Sequence, residues 1–475
     1  MYVDTLIIGA GISGLIIANN LIQSRSIVII EQQEDVGGTW MSRKCYANLK
    51  THAPRYSFHH LDWGEEDVTK KAPCESVFEA LRRKSISIKH LIRFSTKVVK
   101  LEQHGQLVLV RTSDNETIEC SCVVYTGSTY RPHVPENDHT SFRGKILVSE
   151  QLTAEKLKYI QDNDLSVVVV GGSKAACDHV YNLSSLKNLT WVARKTYWFV
   201  NFKNYTSWYF KCMTILGLYV LLKHDEGEDV ATSTVFKWLK DNEYYMNPHG
   251  DLFPSFNFHG GIVEENQIST ISNVHFECAE VIRAQHNTVT LSNGKNIRAD
   301  VLVYCTGYSH HKLPVHVHTP DKQLIIKPEN LSHENMIRGL VNPICDGIIF
   351  INTLSLGDIT TDVQLISEWI QYAYPTKHSL NKALKSQNII LRHTKLRSFN
   401  IWNAFDRPIP YSILMKRLIK NDINSEYVNS SIIRPNIYMI DGIAIAIPHH
   451  HYIIVILMLL LVLHLHLARQ TFRCS

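Results

Sequence analysis

The sequence lacks the cysteine spacings of zinc sites and of paired redox thiols. Its ten Cys are scattered over 475 residues, and the only close pair, Cys120 and Cys122, is separated by a single residue. No C-x-x-C pair exists, which argues against a structural zinc site of that type and against a thioredoxin-type redox centre. Scattered single thiols are typical of proteins from a reducing compartment.

The sequence also has little excess charge of either sign. It contains 49 Lys and Arg against 44 Asp and Glu, which gives a formal net charge of +5. Its runs of consecutive basic residues are short, such as the three residues 82–84. A nucleic-acid-binding domain usually presents a dense basic surface. We therefore expect no nucleic-acid partner. The composition is that of a globular protein, and the length predicts roughly two to four domains.

Long apolar runs are scarce, and the exception lies at the C-terminus. Residues 452–468 read YIIVILMLLLVLHLHLA, without a formal charge, which is near the lower limit of length for a membrane span. His464 and His466 leave a tail anchor, an interfacial segment and a buried helix all open. We favour a membrane contact through this tail. The expected location is the cytoplasmic face of a membrane, such as the endoplasmic reticulum if the source is eukaryotic, or the cytoplasm.

The N-terminal region matches a dinucleotide-binding unit. It reads as a strand, a glycine-rich turn, a helix and a second strand, which are residues 3–8, GAGISG at 9–14, a stretch to about 24, and SIVII at 26–30. In this context Gly9 makes the tight turn, Gly11 lets the backbone approach a pyrophosphate, and Gly14 lets the helix pack on the strand. Glu31 is placed to accept hydrogen bonds from a ribose diol. The apolar start lacks a basic region, which favours a buried strand over a signal peptide.

The same pattern returns in the middle of the chain. It consists of LSVVVV at 165–170, GGSKAACD at 171–178, a helix to about 185, and NLTWVA at 188–193. Gly171 makes the turn, whereas Ser173 replaces the middle glycine and Ala176 replaces the third. The unit ends on Arg194, a cation that can pair with a 2′-phosphate, whereas the acid of the first unit favours a free 2′-hydroxyl. We therefore predict FAD in the first unit and NADPH in the second. An α/β unit kept only for its fold is the alternative.

A second repeat supports a duplicated architecture. Residues 107–127 and 287–307 each read as strand, turn, strand, and an apolar strand that ends in Thr-Gly. We predict an α/β protein with two doubly wound, Rossmann-like dinucleotide-binding domains, in which the NADPH domain is inserted into the FAD domain. The predicted FAD domain consists of residues 1–150 and 305–450, the second part of which includes C-terminal helices. The predicted NADPH domain is residues 151–304, with an insertion at about 196–260. Residues 451–475 form the apolar tail.

Further motifs point to one protein family. They are the acid, spacer and GGTW segment at 31–40, YTGSTYRPHVP at 125–135, and YCTGY at 304–308. With the two glycine fingerprints, these motifs make residues 3 to about 372 resemble the flavin-containing monooxygenases, which are class B flavin-dependent monooxygenases. The resemblance implies that Gly38 and Trp40 close over FAD, and it adds Thr126, Thr306 and Gly307 to the cofactor-binding candidates. The alternative is a surface turn with a core tryptophan, which would explain either feature alone but not their position just after Glu31.

The resemblance also implies a reaction. NADPH reduces FAD, O₂ adds to the flavin to form a C4a-hydroperoxide, and a nitrogen or sulfur nucleophile of a small molecule takes the distal oxygen. The protein must keep water out, because a wet hydroperoxide decays to H₂O₂. The alternatives are Baeyer–Villiger oxygenation of ketones, an NADPH oxidase that releases H₂O₂, and a degenerate flavin-binding scaffold.

Two positions depart from the family pattern. His52 stands in LKTHAPRYSF (49–58) where the family usually has an amide side chain near the flavin. Histidine can donate a hydrogen bond to a peroxide, so we predict a catalytic role for His52, with a solvated loop histidine as the alternative. Val148 stands where the family's F-x-G-x-x-x-H signature has its histidine. This change favours the oxidase alternative, and Ser173 favours the scaffold.

A metal site is not expected. His316 and His318 share one face of a predicted strand, a spacing that can suit a metal ion. No carboxylate or thiol next to them in the sequence completes a set of ligands, and flavin chemistry needs no metal.

Overall fold

The computed structural model describes residues 1–127, 130–205, 245–249, 259–310, 315–318, 322–326, 336–337, 340–351, 359–372, 437–440 and 443–446. Most of the predicted insertion at 196–260 and all of the predicted tail at 451–475 lie outside these residues. None of the helices within the described ranges is both long and apolar enough to cross a membrane.

The described strands are β1 (Tyr2–Ile8), β2 (Ile27–Ile30), β3 (Lys50–Pro54), β4 (Lys71–Pro73), β5 (Ile92–Arg93), β6 (Val98–His104), β7 (Leu107–Thr112), β8 (Thr117–Tyr125), β9 (Tyr130–Pro132), β10 (Asp138–Phe142), β11 (Lys145–Val148), β12 (Val167–Val170), β13 (Leu189–Ala193), β14 (Trp198–Asn201), β15 (Tyr245–Met246), β16 (His259–Val263), β17 (His275–Cys278), β18 (Val281–His286), β19 (Thr288–Leu291), β20 (Asn296–Arg298), β21 (Val301–Tyr304), β22 (Tyr308–His310), β23 (Val315–His318), β24 (Gln323–Ile325), β25 (Ile348–Phe350), β26 (Ile437–Ile440) and β27 (Ile443–Ala446). The described α-helices are α1 (Ile12–Leu21), α2 (Cys74–Ser85), α3 (Ala154–Asp162), α4 (Lys174–Asn182), α5 (Phe202–Tyr205), α6 (Glu265–Ile271) and α7 (Ile359–Tyr372).

The first sheet has nine strands and joins distant parts of the chain. Its order is β24-β23-β6-β7-β8-β1-β2-β5, and β25 also pairs with β8. At its centre β1 lies parallel to both β2 and β8. Helix α1 buries residues on most of its sides, because it lies between this sheet and α7. Strands β23 to β25 come from the second predicted part of the FAD domain, so the sheet contains both parts.

The second sheet has five strands, and all of its pairings are parallel. Its order is β11-β21-β12-β13-β17. Every residue of β12, β13 and β21 is buried, as expected for parallel strands with both faces covered. Helix α4 packs on β12, and its core cluster also includes residues of α3 and α6. The predicted α/β class with parallel sheets is therefore confirmed.

One expectation about the strands is wrong. The sequence of 107–127 predicts three strands, but residues 117–125 form the single strand β8. No glycine or proline interrupts this stretch, so the strand continues. The second copy does divide, into β20 and β21, and the carboxylate of Asp300 between them accepts a hydrogen bond from the Ser166 amide at 3.0 Å.

The interpretation of the cysteines is also incomplete. Cys45 and Cys74 form a disulfide, although 29 positions separate them in the sequence. Both residues are buried, and Cys74 is the first residue of α2. The bond ties the segment after the GGTW turn to the start of this helix. The loop that it closes contains His52.

Candidate functional site

The first glycine turn is closed by the end of β8. Gly9 has φ of +103°, a conformation that favours glycine, and its amide donates to the Ile30 carbonyl at 2.9 Å. A Cβ on Gly14 would overlap the Gly9 carbonyl, so the helix can approach the strand only with glycine there. Thr126 donates its hydroxyl to the Ile8 carbonyl at 2.7 Å. Thr126 thus helps to hold the turn in place.

The GGTW segment folds over the start of α1. The Gly37 amide donates to the Ala10 carbonyl at 3.0 Å, and a Cβ on Gly38 would lie 3.2 Å from the Gly11 Cα. Gly11 is the N-cap residue of α1 and makes no side-chain cap. The half-buried Trp40 packs against the first core. The structure therefore brings the two glycine motifs together at a helix N-terminus, a position that suits an anionic phosphate.

Glu31 lies beside the same turn and is buried. One carboxylate oxygen accepts the Ala10 amide at 2.7 Å, and the other accepts the Gln33 amide at 2.8 Å. A carboxylate can accept about four hydrogen bonds, so capacity remains on each oxygen. Glu31 thus holds the turn and can still accept ribose hydroxyls.

The second glycine turn has the same construction. Gly171 has φ of +136°, and a Cβ there would overlap the Cys305 carbonyl. Ser173 is the N-cap residue of α4, the position that Gly11 has in α1; its side chain is exposed and makes no cap hydrogen bond. Ala176 is fully buried at the packing position. At the start of α4, Ser173 therefore remains accessible.

Arg194 follows β13 at the edge of the second sheet. Its side chain is 75% exposed, and its Nε lies 3.8 Å from a carboxylate oxygen of Glu280. Thr306 and Gly307 contact the segment before β10. The Thr306 hydroxyl donates to the His133 carbonyl, and the His133 amide donates to the Gly307 carbonyl at 2.9 Å. These contacts join the two predicted parts of the FAD domain.

His52, on β3, faces the second domain. Its side chain is open to solvent, and its Cε1 would lie 3.6 Å from a Cβ placed on Gly261 of β16. Partial desolvation by the neighbouring protein, followed by the charge of the nearby Lys174 ammonium, lowers the pKa of His52 below its usual value. The imidazole is therefore neutral at physiological pH, with one nitrogen that donates and one that accepts.

A buried polar cluster next to His52 joins the two domains. Asp178 on α4 forms an ion pair with Lys174 and accepts hydrogen bonds at 2.7 Å from the Tyr46 hydroxyl and from the Gln267 amide group. Burial alone would raise the pKa of Asp178, but Lys174 and these donors lower it below its usual value. Tyr46 belongs to the first domain and the other members to the second. We call these four residues the junction cluster.

Lys71 makes a second connection between the domains. Its ammonium donates to the Ile262 carbonyl at 3.2 Å and lies 4.6 Å from the centre of the Phe202 ring. Burial, and then the charge of Lys174, lower the pKa of Lys71 to about 7. A buried lysine therefore titrates close to neutral pH between the two domains.

Another histidine lies beside the position of Val148. Val148 ends β11, and the hydroxyl of the next residue, Ser149, lies 2.9 Å from Nε2 of the fully buried His179. The His179 ring also packs on Tyr46, with ring centres 4.7 Å apart. Burial lowers the pKa of His179 to about 4. Histidine is thus present at the link between the domains, although it comes from α4.

The structure supplies a carboxylate beside the histidines on β23. Glu102, His104 and His318 have possible ligand atoms within 4.8 Å of one another. However, the Glu102 carboxylate already contacts Lys100 at 2.8 Å and Arg111 at 2.9 Å. The two imidazoles stack in nearly parallel planes, 9° apart, so their lone pairs do not converge on one point. An ion-pair network explains this cluster, and we assign no metal site there.

The sequence analysis missed the junction cluster, Lys71 and His179. One signal was available, because Lys174 and Asp178 have i, i+4 spacing directly after the second fingerprint, which places them on one helix face. Tyr46 could not be connected with them, since 132 positions separate it from Asp178.

Known proteins resemble this chain in sequence. The family described as pyridine nucleotide-disulphide oxidoreductase matches residues 3–223. The FAD-dependent monooxygenase DEP4 of Fusarium langsethiae is 27% identical over 205 residues, covering 40% of this chain and 35% of that protein. The flavin-containing monooxygenase FMO GS-OX5 of Arabidopsis thaliana is 21% identical over 347 residues, covering 65% of this chain and 61% of that protein. The matched part spans only 35% to 39% of the length of four FAD-dependent monooxygenases.

Solved structures resemble the chain in fold. An oxidized steroid monooxygenase bound to NADP has a TM-score of 0.66 at 13% identity, covering 90% of this chain and 98% of that chain. An open structure of cyclohexanone monooxygenase has a TM-score of 0.63 at 15% identity, covering 89% and 98%. At these identities the likeness establishes the fold, which agrees with the predicted pair of dinucleotide-binding domains.

We predict that Lys71 makes the stability of the protein depend on pH near neutrality. The pKa of Lys71 is lowered from 10.5 to about 7 on folding, so the unfolded chain binds more protons between these values, and stability rises with pH through this window. Between pH 7 and 8.5 the wild type should gain about 1–2 kcal/mol relative to Lys71→Met. Urea unfolding at each pH measures this difference. A constant difference would contradict the account of Lys71.

Proposed function

We propose that this chain, which is a relative of the FAD-dependent monooxygenases, uses NADPH and bound FAD to transfer one atom of O₂ to a nitrogen or sulfur group of a small molecule. Its relatives confirm the resemblance predicted from the sequence. One observation carries the proposal for this chain. Two glycine turns of the same construction end parallel strands in two sheets, and Glu31 and Arg194 follow the second strand of each unit.

The first site fits FAD. A cofactor pyrophosphate needs close backbone approach and free amides at a helix start. Gly11 and Gly38 provide a surface without side chains, which a Cβ on Gly38 would begin to fill. Glu31 would accept the ribose hydroxyls. When bound, FAD supplies hydride acceptance from NADPH and the activation of O₂.

The second site fits NADPH. The accessible start of α4, at Ser173, would face the pyrophosphate, and Arg194 would pair with the 2′-phosphate. Thr306 and Gly307 would contact a cofactor, as the resemblance implies, and their hydrogen bonds with His133 would hold them in position.

His52 would work between these two sites. Because its imidazole is neutral, it can donate a hydrogen bond without placing a second positive charge beside Lys174. The neighbouring junction cluster is buried, so it helps to exclude water from this side. His52 would thus supply a hydrogen-bond donor, and the junction cluster would limit the entry of water from this side.

Release of H₂O₂ is the second candidate outcome. Val148 favours this outcome. It ends β11 at the link between the domains, at the position where the family's F-x-G-x-x-x-H signature has its histidine. Ketone oxygenation is a closely related reaction that the same FAD and NADPH sites would support. The direct test gives the purified full-length protein NADPH, O₂ and a panel of amines, sulfides and ketones, and measures product and H₂O₂ against NADPH consumed. Product that accounts for most of the NADPH supports oxygenation, and peroxide that accounts for all of it supports the oxidase.

Gly11→Val should abolish retention of FAD. A Cβ on Gly11 would lie 3.7 Å from the Gly38 Cα, and the rest of a valine side chain would fill the space between the two glycines. The measurement is the flavin absorbance of the purified variant. Gly105→Asn is the matched control, because its turn is open and asparagine tolerates the positive φ. A Gly11→Val protein that stays yellow would refute the assignment of the first site.

His52→Leu should reduce product formation by roughly 100-fold, because one hydrogen-bond donor is lost. The NADPH that is consumed should then yield H₂O₂ instead of oxygenated product. His52→Asn keeps a donor of similar reach and should retain most of the coupling. Product and peroxide per NADPH are measured for both variants. Equal coupling in the wild type and the leucine variant would show that His52 has no such role.

We also propose that residues 452–468 bring the protein to the cytoplasmic face of a membrane. The support is the apolar, uncharged composition of this segment. Deletion of 452–475 should move the protein from the membrane pellet to the supernatant, with its flavin content unchanged. A truncated protein that remained in the pellet would place the membrane contact elsewhere.

A further inference from the structure

A carboxylate lies beside the arginine of the second nucleotide site. Glu280 follows β17, and β17 lies parallel to β13, the strand that Arg194 follows. The carboxyl ends of parallel strands share one edge of a sheet, where nucleotides bind. The Glu280 and Arg194 side chains approach to 3.8 Å, and both are more than half exposed.

The backbone holds Glu280 in this position. Its amide donates to the Ser292 hydroxyl at 3.0 Å, and its carbonyl accepts the Ser292 amide at 2.8 Å. The preceding Ala279 donates to the Ala193 carbonyl at 3.0 Å, directly before Arg194. Because Glu280 is fixed at both its amide and its carbonyl, its side chain starts from a fixed point within reach of the guanidinium.

We propose that the second nucleotide site accepts NADH as well as NADPH, because Glu280 opposes the 2′-phosphate that Arg194 attracts. This inference rests on the proposed function, since it assumes that a pyridine nucleotide binds at this edge. A 2′-phosphate must share the guanidinium with the Glu280 carboxylate and is repelled by that carboxylate. A 2′-hydroxyl meets no such repulsion and can donate a hydrogen bond to the same carboxylate. Discrimination between the coenzymes is the difference between the binding free energies of the 2′-phosphate and the 2′-hydroxyl. Because Glu280 weakens the first and strengthens the second, this difference should be small.

The test uses two ligands that differ only in the 2′-phosphate. The full-length, FAD-loaded protein is titrated calorimetrically with 2′,5′-ADP and with 5′-AMP at low ionic strength, where exposed charges are least screened. The wild type should prefer 2′,5′-ADP by less than about tenfold. Glu280→Gln should tighten 2′,5′-ADP by roughly three- to tenfold and leave 5′-AMP unchanged or slightly weakened.

Two further variants act as controls. Arg194→Gln should weaken 2′,5′-ADP alone. Glu155→Gln removes an exposed acid of α3, the helix that follows β11 at the opposite edge of the sheet from β17, and should change neither affinity.

The outcomes separate the two proposals. If 2′,5′-ADP binds at least about a hundredfold more tightly than 5′-AMP and Glu280→Gln changes nothing, the site is specific for NADPH; the inference about Glu280 then fails, while the proposed function stands. If neither ligand binds, the second nucleotide site is absent, and both proposals fail. If Glu280→Gln binds 2′,5′-ADP more tightly than the wild type and Glu155→Gln does not, the role of Glu280 is established.

Discussion

The arrangement of the candidate site depends on one buried ion pair. Lys174 and Asp178 have side chains that are only 10% and 9% exposed, so neither charge is stable there without the other. Desolvation of such a pair is costly, and it is offset only if further donors complete the carboxylate. Tyr46 and Gln267 are these donors, and Tyr46 comes from the other domain. The charge on α4 is therefore fully satisfied only when the two domains are in contact.

This constraint affects the chemistry around it. The positive charge of Lys174 contributes to keeping His52 neutral and lowers the pKa of Lys71. The segment from Cys45 to Cys74, closed by the disulfide, carries Tyr46, His52 and Lys71 as one unit. The GGTW turn lies directly before this segment. In the proposed enzyme, the same contacts that align the two nucleotide sites would thus set the protonation state of the groups between them.

The parts of this structure that the sequence predicts are the local ones. The glycine turns, the terminal Glu31 and Arg194, and the buried strands follow from spacing within about 30 residues. The parts that it does not predict depend on distant contacts. Nothing near Asp178 identifies Tyr46, nothing near Cys45 identifies Cys74, and Glu102 lies 216 positions from His318. Thr306 illustrates the same limit, because the sequence does not predict that its hydroxyl contacts the carbonyl of His133, a residue 173 positions away.

The central claim is that two nucleotide sites, joined through the junction cluster, exchange electrons. The most direct measurement is anaerobic reduction: the purified full-length protein, with its bound flavin, is mixed with excess NADPH in the absence of O₂, and the flavin absorbance is followed in time. The account predicts that the flavin absorbance bleaches, that the rate of bleaching saturates as the NADPH concentration increases, and that the absorbance returns when O₂ is admitted. A protein that carries flavin but keeps its colour with NADPH would contradict the account, because the two sites would then not act together.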